Sequence, residues 1–385
     1  MIYYLTYNEP FNGIFNSQVI DVVKHLRIAH KQEIRLISFV PIGYNMNYYK
    51  DLVIKLKEAE PDCIVIPTVP VQYGWKFNWI LLTLVLFFKK RGSIISREVQ
   101  ATYIGIICRK IKIVRKVCYD ARGANYAQML EYNIYSDNIK KNIFELESYA
   151  VHNADFRLAV SENLVKYWNR IYNYTSQNYV VIPCTISEKN ENENLDIEQV
   201  IIKRQKYNYK DTDIVLVFSG SNFGWQSFEL IKQFCELQLD NNSNVKIAFL
   251  SKPDDVINAL LEKYSERISV RWLNFNEVSD FLKICDFGIL LRVSNDTNNV
   301  ASPTKFGEYL ASGLPVIISD NLEFADLVKQ NDCGYVINND HLSAFNYQRT
   351  SIKEKAKIMG IAEKYFLKSS AINIVNYNTI ISHLN

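Results

Sequence analysis

Residues 301–320, ASPTKFGEYLASGLPVIISD, are the part of this chain whose types and spacing are best suited to chemistry. Ser302 reads as a helix N-cap and Pro303 as the first helical residue, where its missing N–H costs nothing. Thr304 follows, Lys305 lies in the first turn, and Glu308 stands one turn further on. Gly313 suits the left-handed position just past a helix end, and 314–318 reads as a buried strand. A cation in the first turn opposes the helix dipole unless an anion is there to meet it. Free backbone N–H groups at the same end bind phosphate. These residues therefore predict a diphosphate at the helix start with Lys305 as its cation. Glu308 is then placed to accept hydrogen bonds from ribose hydroxyls. The plainer alternative is a capped helix that packs Phe306, Tyr309 and Leu310 into a core.

The elements around this helix read as an alternation of strands and helices. In the first half, apolar runs predict strands at 2–6, 34–40, 62–67, 93–96, 114–119, 156–160 and 179–183. Helical spacing falls at 17–29, 51–60, 138–151 and 162–171. The polar, Asn-rich stretch 185–210 reads as a linker with one short helix. The alternation then resumes, with strands at 214–219, 245–250, 268–272, 287–291, 315–319 and 334–337. Such a pattern predicts α/β architecture with two doubly wound, Rossmann-like parallel sheets facing each other across a cleft. The expected division is 1–184 for a first domain, 185–210 for the linker and 211–365 for a second domain. The helical tail, about 366–385, is expected to pack back on the first domain. Ligands in such sheets bind beyond the carboxyl ends of the strands, which draws attention to 8–13 and 120–123.

Composition narrows the function classes. A net charge of +3 without a basic stripe argues against nucleic acid. The seven cysteines form no CxxC and no zinc spacing, so they read as reduced core thiols of a cytoplasmic protein. The opening MIYYLTYNEPF reads as a first strand rather than a signal peptide. The apolar run 79–88, WILLTLVLFF, followed by Lys89, Lys90 and Arg91, is too short to span a bilayer. It reads either as a buried helix or as a surface helix in peripheral contact with the inner membrane leaflet through 79–91. No HExxH is present, no GxGxxG follows the first strand, and no DxD lies in the loop before the helix that starts near Thr304. Neither a metal nor a cofactor is expected.

With these residues in view, SPTKFGEYLASGLPVI resembles the donor-site signature of retaining GT-B glycosyltransferases, in family 4 and its relatives of the capsule and surface-polysaccharide branch. Supporting likenesses follow in family order: LTYNEPFNGIFNSQVIDV, NADFRLAVSENLVKYW, VVIPC, VFSGSNFGWQS and EVSDFLKICDFGILLR. The resemblance implies that Glu308 binds the ribose and that the turn of Ser302, Pro303, Thr304 and Lys305 holds the diphosphate. It implies that Gly13 lets a first-domain loop approach the donor, and that Gly220 and Ser221 form the glycine turn opening the second domain. Leu273 and Asn274 fall where the fold holds the base. Asp120 and Arg122 fall in a loop that faces the transferred sugar and acceptor in relatives, and with Lys305 they form the expected catalytic set.

Two departures stand out. Many family members carry a second glutamate eight positions before the one matched by Glu308, and here that position is Val300. The Arg and Lys that often follow the opening glycine turn are also missing, and Lys252, Arg292 or Lys305 are the cations available to replace them. The function expected is metal-independent transfer of a hexose, with retention, from a UDP- or GDP-sugar to a hydroxyl of a lipid-linked or surface glycan. The alternatives are a catalytically silent subunit of the same fold that supports a partner enzyme, and a sugar-nucleotide epimerase.

Overall fold

Strand β1 (Ile2–Tyr7) is buried at all six positions, as a parallel strand covered on both faces must be. It is followed by β2 (Ile34–Pro41), β3 (Ile64–Thr68), β4 (Ser93–Arg97), β5 (Val117–Ala121), β6 (Phe156–Ala159) and β7 (Tyr179–Val181). These strands form one parallel sheet in the order β3-β2-β1-β4-β5-β6-β7, so the winding reverses between β1 and β4. The computed structural model describes residues 1–42, 46–68, 74–132, 137–187, 197–220 and 224–385.

A second sheet holds β8 (Ile214–Ser219), β9 (Val245–Leu250), β10 (Ile268–Arg271), β11 (Phe287–Leu290), β12 (Val316–Ser319) and β13 (Gly334–Ile337). Its order is β10-β9-β8-β11-β12-β13, again parallel, with the reversal between β8 and β11. All thirteen strands fall where the apolar runs place them, with ends offset by at most three residues. The chain divides into two compact units, one of residues 1–187 and 368–385, the other of residues 188–367.

Helices cover both sheets. Glu162–Tyr172 shows how the local sequence sets one: the Ser161 side chain accepts from the Leu164 N–H, and Asn173 closes the far end at φ 56°. Between these caps, Leu164, Tyr167, Trp168 and Tyr172 repeat at helical spacing and are the buried face. The helix Glu98–Lys110 was not legible beforehand. It has no side-chain cap, and its first residue lies at φ 65°.

The C-terminal segment holds two helices. Ile352–Phe366 opens on a capping box between Ser351 and Glu354. The chain then extends at Leu367, and Ala371–Leu384 starts from the Ser370 cap. This last helix puts Tyr377, Ile380 and Leu384 into the first unit's core beside Ile2, Tyr4 and Phe156. The buried Lys368 amine donates to the Ile186 carbonyl at 2.9 Å. Within the linker, the helix Ile197–Lys206 is tied to the second unit by Arg204, which is buried. Its guanidinium donates to the Ile284 and Asp213 carbonyls and pairs with Asp286 at 3.1 Å.

Candidate functional site

In the second unit the site residues follow the carboxyl ends of four neighbouring strands. Gly220 follows β8, Lys252 follows β9, Leu273 and Asn274 follow β10, and Arg292 follows β11. The helix Thr304–Ala311 comes next. Its N-cap is Pro303, in extended conformation, and no side chain caps this end. The cap assigned to Ser302 is thereby corrected: the chain becomes helical one residue later, and Ser302 is buried instead. The other end matches its reading, with Gly313 at φ 72° directly after Ser312.

Lys305 is the centre of this arrangement. Its side chain runs past Gly220, where a Cβ would lie 2.0 Å from Nζ and would push the end of the lysine aside. Gly220 also sits at φ 151°. The Lys305 amine donates to Gln226 Oε1 at 2.9 Å and stands 4.4 Å from the centre of the Phe218 ring. Among the described residues it forms no ion pair. Burial pushes its ammonium well below the ordinary lysine range, Arg292 pushes it further, and Glu308 acts in the opposite sense. Burial likewise raises the Glu308 carboxyl, and Lys305 partly offsets this. Lys305 and Glu308 are both half-buried.

The plainer reading of this helix also holds in part, since Phe306, Tyr309 and Leu310 are core residues. The Tyr309 hydroxyl accepts from the Ser219 N–H at 2.9 Å. The Tyr309 ring occupies the space a Cβ on Gly288 would need. The helix therefore packs by one face and presents Lys305 and Glu308 from another.

The loop 292–300 is held by a network the sequence did not announce. Arg292 N–H donates to Ser319 Oγ at 2.9 Å, and Asn339 Nδ2 donates to the Arg292 carbonyl at 2.8 Å. Fully buried Asn298 donates to the Val293 carbonyl, and Asn321 donates to Asn299. Val300 is buried. Lys252 is exposed and lies 5.1 Å from the Trp272 ring. Leu273 is half-buried. Asn274 is exposed and engaged in a capping box with Glu277, which starts the helix Phe275–Lys283. Ser221 lies outside the described residues.

The first unit has its own cluster at the β1/β4 reversal. Asp120, at the end of β5, is fully buried. It receives the Tyr4 hydroxyl, pairs with Arg122 at 2.7 Å, and lies 3.7 Å from Arg97. Arg97 pairs in turn with Glu9 at 2.8 Å. Asp120 thus holds two guanidinium groups in place and has no exposed surface of its own. Gly13 begins a short turn, Gly13–Phe15, and is exposed; Asn12 caps this turn through the Phe15 N–H.

Two further carboxylates here were not singled out in the sequence. Glu147 is fully buried and accepts from the Asn125 and Tyr126 N–H groups and from the Tyr172 hydroxyl. Glu98 stands at the sharp turn from β4 into the following helix, at φ 65°, where a side-chain-bearing residue is strained. It accepts from Asn125 Nδ2 at 2.9 Å. Burial pushes the carboxyls of both Glu98 and Glu147 up to about 7. Only topology brings Glu9, Arg97, Glu98 and Asp120 together, so no linear pattern could have flagged them.

Residues 238–357 match the family model described as the glucosyltransferase 3-like, C-terminal domain. No curated protein matches the chain by sequence. Among solved structures the chain is similar to Anabaena HepE in complex with UDP, at 13% identity, with 99% of each chain covered and a TM-score of 0.74. It is similar to sucrose-phosphate synthase from Thermosynechococcus elongatus at 11% identity, with 99% of each chain covered and a TM-score of 0.68. A glycosyltransferase from Rickettsia africae aligns at 14% identity over 100% of this chain and 94% of that chain, with a TM-score of 0.64. The two Rossmann-like sheets are those of the GT-B fold.

Proposed function

We propose that this chain is a glycosyltransferase that moves a hexose from a nucleotide-sugar to a hydroxyl of a glycan or lipid-linked glycan. The observation that carries the reading is Lys305: a half-buried ammonium that forms no ion pair among the described residues, beside Arg292, at a helix end no side chain caps. A site that holds a cation in a disfavoured state is complementary to an anion, and the nearby helix N–H groups add donors. The donor diphosphate would lie against Pro303, Thr304 and Lys305, with Arg292 as its second cation and Glu308 on the ribose. Lys305 and Arg292 would then take up the charge of the departing nucleoside diphosphate, so the proposal invokes no metal.

The base would rest beyond β10 near Leu273 and Asn274. The UDP and UDP-glucose complexes of HepE make a UDP-sugar the first donor to test, ahead of a GDP-sugar. The signature over 301–318 supports retention and the family 4 relationship. The leaving phosphate can accept the acceptor proton in that case, and no protein base is required.

The test is calorimetric binding of UDP, GDP, ADP and CMP to the wild type and to Glu308→Ala. One nucleotide should bind the wild type, and the variant should lose about tenfold or more of that affinity. Unchanged affinity in Glu308→Ala removes the ribose assignment. One observation favours a second reading: Val300, at the place of the first family glutamate, is buried and apolar. A silent subunit would bind nucleotide yet release none from any sugar nucleotide, whichever acceptor is supplied.

A further inference from the structure

We propose that the helix Asn78–Phe87 and the basic segment after it seat the first unit on an anionic phospholipid surface. The helix has two unlike faces. Asn78, Leu82 and Leu86 recur every four residues and are buried, with Leu82 and Leu86 in the core beside Ile66 and Ile104. The opposite stripe is apolar and faces water. Phe77 is 66% exposed, Leu84 59%, Phe87 69% and Phe88 84%, and Ile80 lies between them, also exposed. Spacings of three and four residues place these side chains on one line along the helix. A soluble protein leaves single apolar residues exposed without consequence, but a continuous stripe marks a contact surface.

The charge around the stripe selects the occupant. Lys89, Lys90 and Arg91 leave the helix end exposed, and Lys76 stands exposed at its start. Exposed Arg115 joins them, because its N–H donates to the Gly92 carbonyl at 2.9 Å. Glu33 is the acid paired within this group, bonded to Lys90 at 2.6 Å. An apolar stripe with a basic end is the pattern of a helix lying in the plane of a membrane surface, its side chains among the acyl chains and its cations at the phosphates. The helix is only about 15 Å long, half a hydrocarbon core. Among the described residues no helix is long and apolar enough to cross a membrane. A second copy of the chain fits the stripe less well: with exposed cations at both ends of the helix, a copy laid along it in either direction brings like charges together.

The experiment is flotation of the full chain with vesicles of phosphatidylcholine alone, or with about a third phosphatidylglycerol. The chain should float with the anionic vesicles at least about tenfold more strongly than with the neutral ones, and added salt should weaken this. Leu84→Glu with Phe87→Glu, and separately Lys89→Glu with Arg91→Glu, should each lower partitioning about tenfold or more. Because these side chains are exposed, thermal melting and nucleotide binding should be unchanged, so the outcome is independent of the donor-site reading. The proposal is overturned by absence of flotation with anionic vesicles, or by equal flotation of the variants. It is also overturned if light scattering shows a wild-type dimer that Leu84→Glu with Phe87→Glu dissociates, which would give the face to a second copy.

Discussion

At the scale of single residues, two side chains sit in states that cost the fold stability. Lys305 has a folded-state pKa below its unfolded value, so the folded chain holds its proton less tightly. Stability should therefore rise as pH increases through the alkaline range below the unfolded lysine pKa, and Lys305→Met should flatten that rise in urea titrations. An anion beside Lys305 restores the proton, so nucleotide binding at alkaline pH should take up protons, seen by calorimetry in buffers of different ionisation enthalpy. Glu98 has the opposite sign. Its folded-state pKa is raised to about 7, so the stability it contributes is present in acid and lost as pH rises from the usual carboxyl range towards 7. Glu147 adds to the same slope, and Glu98→Gln should remove only part of it. Glu98→Gly should also relieve the backbone at φ 65° and stabilise the chain at neutral pH by about 1 kcal/mol in urea unfolding. The Lys305–Glu308 spacing was legible because it repeats along one helix. Glu98 was not, because neither its φ nor its neighbours from β1 and β5 leave a mark in the local sequence.

Among the elements, those whose sequences carry their own punctuation were read correctly. The strands announce themselves as short apolar runs, and Gly313 closes its helix where a left-handed residue is required. The helix Glu98–Lys110 carries no such sign. It lacks a capping side chain and buries Val99, Ala101, Ile104, Ile106 and Cys108 on more than one side, which blurs the helical period. The segment 79–88 leaves two readings open, and the helix is buried along Leu82 and Leu86 and exposed along Leu84 and Phe87. The linker's short helix is legible in the sequence, but the burial of Arg204, which pairs with Asp286, is not. Arg204→Ala should cost about 3 kcal/mol by urea unfolding, because it leaves buried Asp286 with only the longer Arg349 pair at 3.5 Å and takes the guanidinium donor from the Ile284 and Asp213 carbonyls. An exposed neighbour such as Lys206→Ala should cost less than about 0.5 kcal/mol.

For the whole molecule, the telling feature is that the first unit is made of two separated stretches of chain. Removing residues 368–385 would take Tyr377, Ile380 and Leu384 out of its core and expose Phe156 and Tyr4. Hydrogen exchange in β1, β5 and β6 should then speed up by at least about a hundredfold, while β8, β9 and β11 keep wild-type protection. Equal loss of protection in both sheets would show that the units unfold as one.

That division also sets an order on synthesis. A ribosome delivers all of residues 188–367 before the helix Ala371–Leu384 exists, so the second sheet can close while the first waits with an open apolar flank. Ser93, which both Met1 and Leu384 touch, becomes fully bonded only after that last helix emerges. The nascent first unit therefore has to be kept from aggregating for the time it takes to translate the whole of the second.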